Sequence, residues 1–262
     1  MRDTPVTIGY STCPNDTFIF NKLAKMPGFE PVLQDVETLN QWAVAGKLDV
    51  SKLSFHAWLL VQDEYELLNS GSALGRGCGP LVIAKDDQPL TAESVIAVPG
   101  ELTTAHLLLR LWRPDLEKRI FMTFDQIMDA VESGAADAGV IIHEGRFVYQ
   151  ERGLACLQDL GEWWESSTGN PIPLGCIAAK KSLGAAAIAE IDAVLKDSIQ
   201  SAFDDPESTK EYVKAHAQEL SDEVTSEHIK TYVNDFTLDL GDEGRAAVAS
   251  LQQLAKAAGV IQ

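Results

Sequence analysis

Two stretches of this chain follow one template. AVAGKLDVSKLS (43–54) and AVESGAADAGVIIH (130–143) each run from a helical pattern through glycine, two residues and aspartate into a strand. Gly46 precedes Asp49 by three positions, as Gly134 precedes Asp137. The pattern upstream matches too. Apolar periodicity predicts strands over 6–10, 29–36 and 49–54, with helices over 15–26 and 37–46. It predicts strands again over 94–100, 118–124 and 137–143, with helices over 103–112 and 125–134. The first loops correspond as YSTCPNDT (10–17) and VPGELTTA (98–105). Such β-α-β-α-β units build a mostly parallel sheet flanked by helices. Two matched units predict two lobes with a cleft between them.

Apolar stretches at 79–85 and 172–180 mark the crossings between the lobes. Two crossings make one lobe discontinuous: a larger lobe of 1–85 plus 178–262 and a smaller one of 86–177. Beyond residue 180 the pattern is helical, with glycine breaks near 184 and 241, and acids dominate it. That excess reads as a solvated face. Net charge is −18, which repels phosphate backbones and argues against nucleic acid. No apolar run reaches the ~18 residues of a membrane span. The opening MRDTPVTIGYSTCPND lacks the apolar core of a secretory signal, so a cytoplasmic location is expected. The four cysteines, at 13, 78, 156 and 176, have no metal or redox spacing.

Ligands of open α/β sheets bind beyond the carboxyl ends of the strands. That rule draws four segments to one cleft: loop 11–16, the strand end at Ser54, loop 99–104 and the strand end at His143. His143 titrates near neutrality and is the candidate general base. Glu144 is expected to serve Arg146 instead, because neighbours on an extended chain face opposite ways. His106, close to the helix start, is the alternative base. Thr103 is placed to cap that helix, leaving Thr104 to meet a ligand at a helix N-terminus. Ser11, Asn15 and Thr103 are further cleft candidates. Lys52 beside Ser54 suggests an anionic ligand, against the alternative of a plain surface lysine. Cys13 reads as a small packed residue with no base near it. GRGCGP (75–80) lacks the phosphate-loop pattern and reads as a flexible crossing, with Arg76 a candidate ligand contact. Trp163 and Trp164 read as packing residues.

Seven motifs together, STCPNDTFIF, DVETLNQWA, KLS, ALGRGCGPLV, PGELTTA, AGVIIHEGRF and HAQELSDEV, closely resemble the 1,4-dihydroxy-6-naphthoate synthase family. The resemblance spans nearly the whole chain. It implies a two-lobed fold like a type II periplasmic solute-binding protein, and a role in menaquinone synthesis by the futalosine route. It implies a carbon–carbon lyase that converts cyclic dehypoxanthine futalosine to 1,4-dihydroxy-6-naphthoate and dihydroxyacetone. The substrate is thus a small molecule, an anionic, sugar-linked naphthoate precursor, and neither metal nor organic cofactor is implied. The family's proton acceptor maps onto His143, and its substrate contacts map onto Lys52, Leu53, Ser54, Thr104 and Ala105. The opening motif departs in one place, with Thr12 where serine is usual before the cysteine.

Two other readings share the fold. One is chorismate dehydratase, acting on a smaller diacid; the IIHE and KLS motifs favour the synthase over it. The other is a solute-binding protein that holds its ligand unchanged.

Overall fold

The computed structural model describes residues 4–217 and 221–261. The motif HAQELSDEV therefore passes through three positions, 218–220, outside the described residues.

The first unit comprises β1 (Val6–Tyr10), α1 (Pro14–Phe20), β2 (Phe29–Leu33), α2 (Val36–Val44), β3 (Val50–Ser54) and α3 (Phe55–Val61). Short strands β4 (Tyr65–Leu67) and β5 (Ala73–Gly75) lead to the crossing. The second unit comprises β6 (Leu81–Ala84), β7 (Ile96–Val98), α4 (Thr104–Trp112), β8 (Arg119–Phe121), α5 (Ile127–Ser133) and β9 (Ala138–Ile141). After it come α6 (Gly145–Val148), β10 (Ala155–Asp159), α7 (Leu160–Thr168) and the return strand β11 (Ile172–Lys180). The rest is helical: α8 (Ala185–Asp204), α9 (Lys210–His216), α10 (Asp222–Tyr232), α11 (Asp235–Leu238) and α12 (Gly241–Ala257). No described helix is long and apolar enough to cross a membrane.

The duplicated template is a duplicated topology. One sheet has the order β2-β1-β3-β11-β4, with β5 also on β11; the other has β10-β6-β9-β7-β8. In each, the three strands of a βαβαβ unit pair in parallel, β2-β1-β3 and β8-β7-β9. In each, a crossing strand then lies antiparallel beside the third: β11 on β3, and β6 on β9. The sheets are therefore mixed, parallel only in their βαβαβ cores, because a strand entering from the other lobe arrives in the opposite direction. β6 pairs in the second sheet and β11 in the first. The sheets thus change hands around residues 76–80 and at 171, a few residues before the boundaries expected at 85 and 177.

Local chemistry ends and starts these elements where expected. Asp35 caps α2 by accepting from Thr38 N–H at 2.9 Å, and Thr103 caps α4 through His106 N–H at 3.2 Å. Gly134 closes α5 with φ +77°, the left-handed conformation glycine adopts without strain. All five residues of β3 are buried, as in a strand covered on both faces. Apolar side chains of α1 and α8 cover the first sheet, and those of α5 the second. A third cluster, including Leu53, Phe55, Val82, Val98, Leu107 and Trp164, bridges the two sheets and binds the lobes at the crossing. There the backbones of Gly79 and Gly161 touch: a Cβ on Gly79 would sit 2.2 Å from Gly161 N. GRGCGP is thus a close-packed crossing.

Candidate active site between the two sheets

The loops beyond β1, β3, β7 and β9 meet over one cavity, about 650 Å³ of empty volume including its mouth. Ser11, Asn15, Asp16, Lys52 and Ser54 line one side, and Thr103, Thr104, Ala105, Ile142 and His143 the other. Leu174 and Gly175 of β11 and Tyr232 of α10 close it.

The first side is a finished hydrogen-bond network. Asp16 is 1% exposed, and its carboxylate accepts from the Ser11 N–H (3.1 Å), the Ser11 hydroxyl (2.7 Å), Asn15 Nδ2 (2.9 Å) and Lys52 Nζ (2.8 Å). Lys52 is therefore no surface lysine, and its charge is already matched by a buried carboxylate. Ser54 is clamped by Asn40, which accepts from its N–H (2.9 Å) and donates to its Oγ (3.0 Å). Among the described residues the Ser54 hydroxyl proton has no acceptor, so it can be given to a ligand. Leu53 points into the core and can reach the cavity only through its backbone.

The second side leaves more groups free. The Thr103 hydroxyl caps α4 and donates to Gly100 O at 2.9 Å. The Thr104 hydroxyl, expected to meet a ligand, donates to Leu174 O at 2.7 Å and accepts from His56 N–H. What this helix end offers is backbone: the N–H groups of Thr104 and Ala105 have no partner among the described residues, and the helix dipole favours an anion there.

His143 stands two residues past the end of β9, which stops short of the expected 143. Its φ is +56°, the one positive φ of a non-glycine residue among the described residues. Such a conformation costs about 1–3 kcal/mol and clusters at functional sites. The ring is edge-on to Phe124 at 4.9 Å and nearly parallel to His228, at 6.0 Å and 9°. Its Nδ1 lies 3.5 Å from Cys13 Sγ, so Cys13 packs against the candidate base, which the sequence did not bring near it. Burial lowers the His143 pKa, more strongly than Glu144 and Asp16 raise it. The ring is therefore neutral at pH 7 and able to accept a proton.

His228 is fully buried, and its Nε2 lies 2.9 Å from Asn15 Oδ1. Because Asn15 gives its NH2 to Asp16, its oxygen faces His228 and Nε2 carries the proton. Nδ1 of His228 is left without a partner. Burial and the neighbouring His143 push its pKa down to about 3.

The other candidates lie elsewhere. His106 does not line the cavity; its Nδ1 donates to Glu101 O at 2.7 Å, and burial lowers its pKa to about 4. Arg76 pairs with Glu243 at 3.0 Å, on the outside. Arg146 pairs with Asp159 at 2.7 Å and not with Glu144. Trp164 is buried, as expected. Across the cleft mouth, Glu37 of α2 accepts from the N–H groups of Glu101 (3.0 Å) and Leu102 (3.1 Å). This carboxylate and the Cys13–His143 contact join the two lobes across the cleft. Among the described residues no three His, Cys, Asp or Glu side chains are grouped as metal ligands. Sequence reasoning missed Asp16, Glu37, His228 and Tyr232. Only Asp16 had a signal, sitting inside a loop already singled out.

Solved structures define the class. A protein of Archaeoglobus fulgidus superposes with a TM-score of 0.94 at 33% identity, over the whole of both chains. The alkanesulfonate-binding protein of Xanthomonas axonopodis pv. citri, solved with MOPS, superposes with a TM-score of 0.68 at 14% identity, covering 100% of this chain and 96% of that one. The fold is that of the two-lobed periplasmic binding proteins. The menaquinone biosynthesis family model matches residues 6–257. A 1,4-dihydroxy-6-naphthoate synthase of Thermus thermophilus is 47% identical over 97% of this chain and 94% of its own. One of Streptomyces coelicolor is 45% identical over 100% and 96%. This chain belongs to the menaquinone biosynthesis family.

Proposed function

We propose that this protein is a carbon–carbon lyase, converting cyclic dehypoxanthine futalosine to 1,4-dihydroxy-6-naphthoate and dihydroxyacetone, with His143 as general base. The observation that carries the reading is the neutral imidazole of His143, held in a left-handed backbone conformation on the cavity between the two sheets. The two curated relatives bearing the synthase name support the substrate.

His143 takes the proton next to the substrate ketone, and the electron pair of that bond moves to the carbonyl oxygen. The enolate drives ring opening and carbon–carbon cleavage, and aromatisation draws the sequence forward. The free N–H groups of Thr104 and Ala105 hold an anionic or hydroxylated part of the substrate. Ser54 donates its free hydroxyl proton, and Lys52 and Leu53 shape the opposite wall, Lys52 as half of a neutral pair. Ser11 and Asn15 keep that frame in place, and Thr103 caps the helix that presents the free N–H groups. Closure across Glu37 excludes water around the base. The reading places the reaction in the cytoplasm, without metal or organic cofactor.

The test is incubation of the purified protein with cyclic dehypoxanthine futalosine, followed by mass spectrometry, beside His143→Ala. Wild type should release dihydroxynaphthoate, and the variant should lose at least 100-fold in turnover, within the roughly 10²–10⁴-fold a general base supplies. Substrate bound and recovered intact from wild type would make this a binding protein. Conversion of chorismate in its place would move it to the dehydratase.

A further inference from the structure

The helical C-terminal region, expected to present a solvated acidic face, sends one face of α10 into the cleft. His228 and Tyr232 are four residues apart, hence neighbours on one side of that helix. Both are buried, with ring centroids 4.8 Å apart. The His228 ring lies parallel to His143, so Tyr232 stands on the same wall as the base.

Tyr232 lines the cavity. Several polar side chains around it are engaged within the protein: Asp16 accepts from four donors, Lys52 gives one ammonium proton to Asp16, and the Thr104 hydroxyl donates to Leu174 O. Tyr232 differs. Its carbonyl accepts from the Thr237 hydroxyl, but its own hydroxyl has no partner among the described residues. A buried phenol ordinarily finds a hydrogen-bond partner. One left free on the wall of the cavity that His143 also lines is a donor waiting for a ligand oxygen.

We propose that Tyr232 donates a hydrogen bond to the substrate carbonyl oxygen on which negative charge develops as His143 takes the adjacent proton. The proposal rests on the reaction read above. The C–H bond breaks, its proton passes to His143, and its electron pair moves to the carbonyl oxygen. The phenol proton stays on Tyr232. Burial pushes the Tyr232 pKa well above the usual phenol range, so the group remains a neutral donor throughout. Donors aimed at a developing oxyanion act most strongly in a closed, dry site.

The test is Tyr232→Phe, which keeps the ring against His228 and removes one oxygen that bonds nothing in the protein. With cyclic dehypoxanthine futalosine, kcat should fall about 100-fold, the scale of a lost oxyanion donor. KM should stay within threefold and Tm should not move, whereas a packing role would shift Tm. A fall in kcat of less than tenfold overturns the assignment. If wild type does not convert the compound, the reaction reading fails and this assignment falls with it, whereas conversion that Tyr232→Phe retains overturns the assignment alone.

Discussion

The two βαβαβ units bring the same topological positions to the cleft and do different things with them. In the first unit, loop 11–16 and the end of β3 are knitted together by Asp16, which accepts from four donors. In the second, the start of α4 leaves two N–H groups free, and the chain past β9 holds His143 in a strained conformation. On the proposed mechanism, one wall is mainly the frame and the other carries the base. A duplicated fold can therefore divide preorganisation and chemistry between its copies, because strand ends are positioned by topology while their side chains vary freely.

The largest effects should separate the walls. His143→Ala should lose at least 100-fold in turnover with Tm nearly unchanged, since alanine keeps a Cβ at the same positive φ and the substitution strands no buried charge. Asp16→Ala should do the reverse, costing about 3–5 kcal/mol of stability by stranding the Lys52 ammonium in the interior. Urea unfolding of both variants checks this. Equal stability loss in the two would erase the division between the walls.

Acid should act on both walls at different pH values. His143 must be neutral to accept a proton, and burial holds its pKa below 6.5. The acid limb of kcat/KM should therefore lie below pH 6.5, with a plateau at neutrality. Stability follows His56, His106 and His228, whose pKa values burial lowers to about 4, 4 and 3. The unfolded chain protonates these rings near pH 6.5 and the folded chain does not. Stability should be full above pH 6.5 and fall as the pH drops toward about 4. A melting temperature that is flat from pH 7 to 4 would contradict that burial.

A smaller effect is expected at the cleft mouth. Glu37→Gln keeps an acceptor for Glu101 and Leu102 N–H but removes the charge, weakening each bond. KM should rise a few-fold with kcat nearly constant, read from steady-state kinetics. Smallest of all, Arg76→Ala breaks an exposed pair with Glu243 and should change stability by no more than about 1 kcal/mol. A larger loss would show that the crossing, and not either wall, limits stability.

The sequence by itself determined the two units, the order of their strands and helices, the helix cap at Thr103 and the place of His143 just past a strand. These rest on local rules: apolar period, glycine closing a helix, and a hydroxyl at an N-cap. Tertiary structure decided the rest. Lys52 meets Asp16 across 36 residues, and His228 meets Asn15 across 213. Contacts over such separations leave no trace in spacing. The left-handed turn at His143, the Cys13 thiol beside it and the free hydroxyl of Tyr232 likewise come into being only when the lobes close on one another. Whether a polar group is spent or available depends on what the rest of the fold brings within about 3 Å of it.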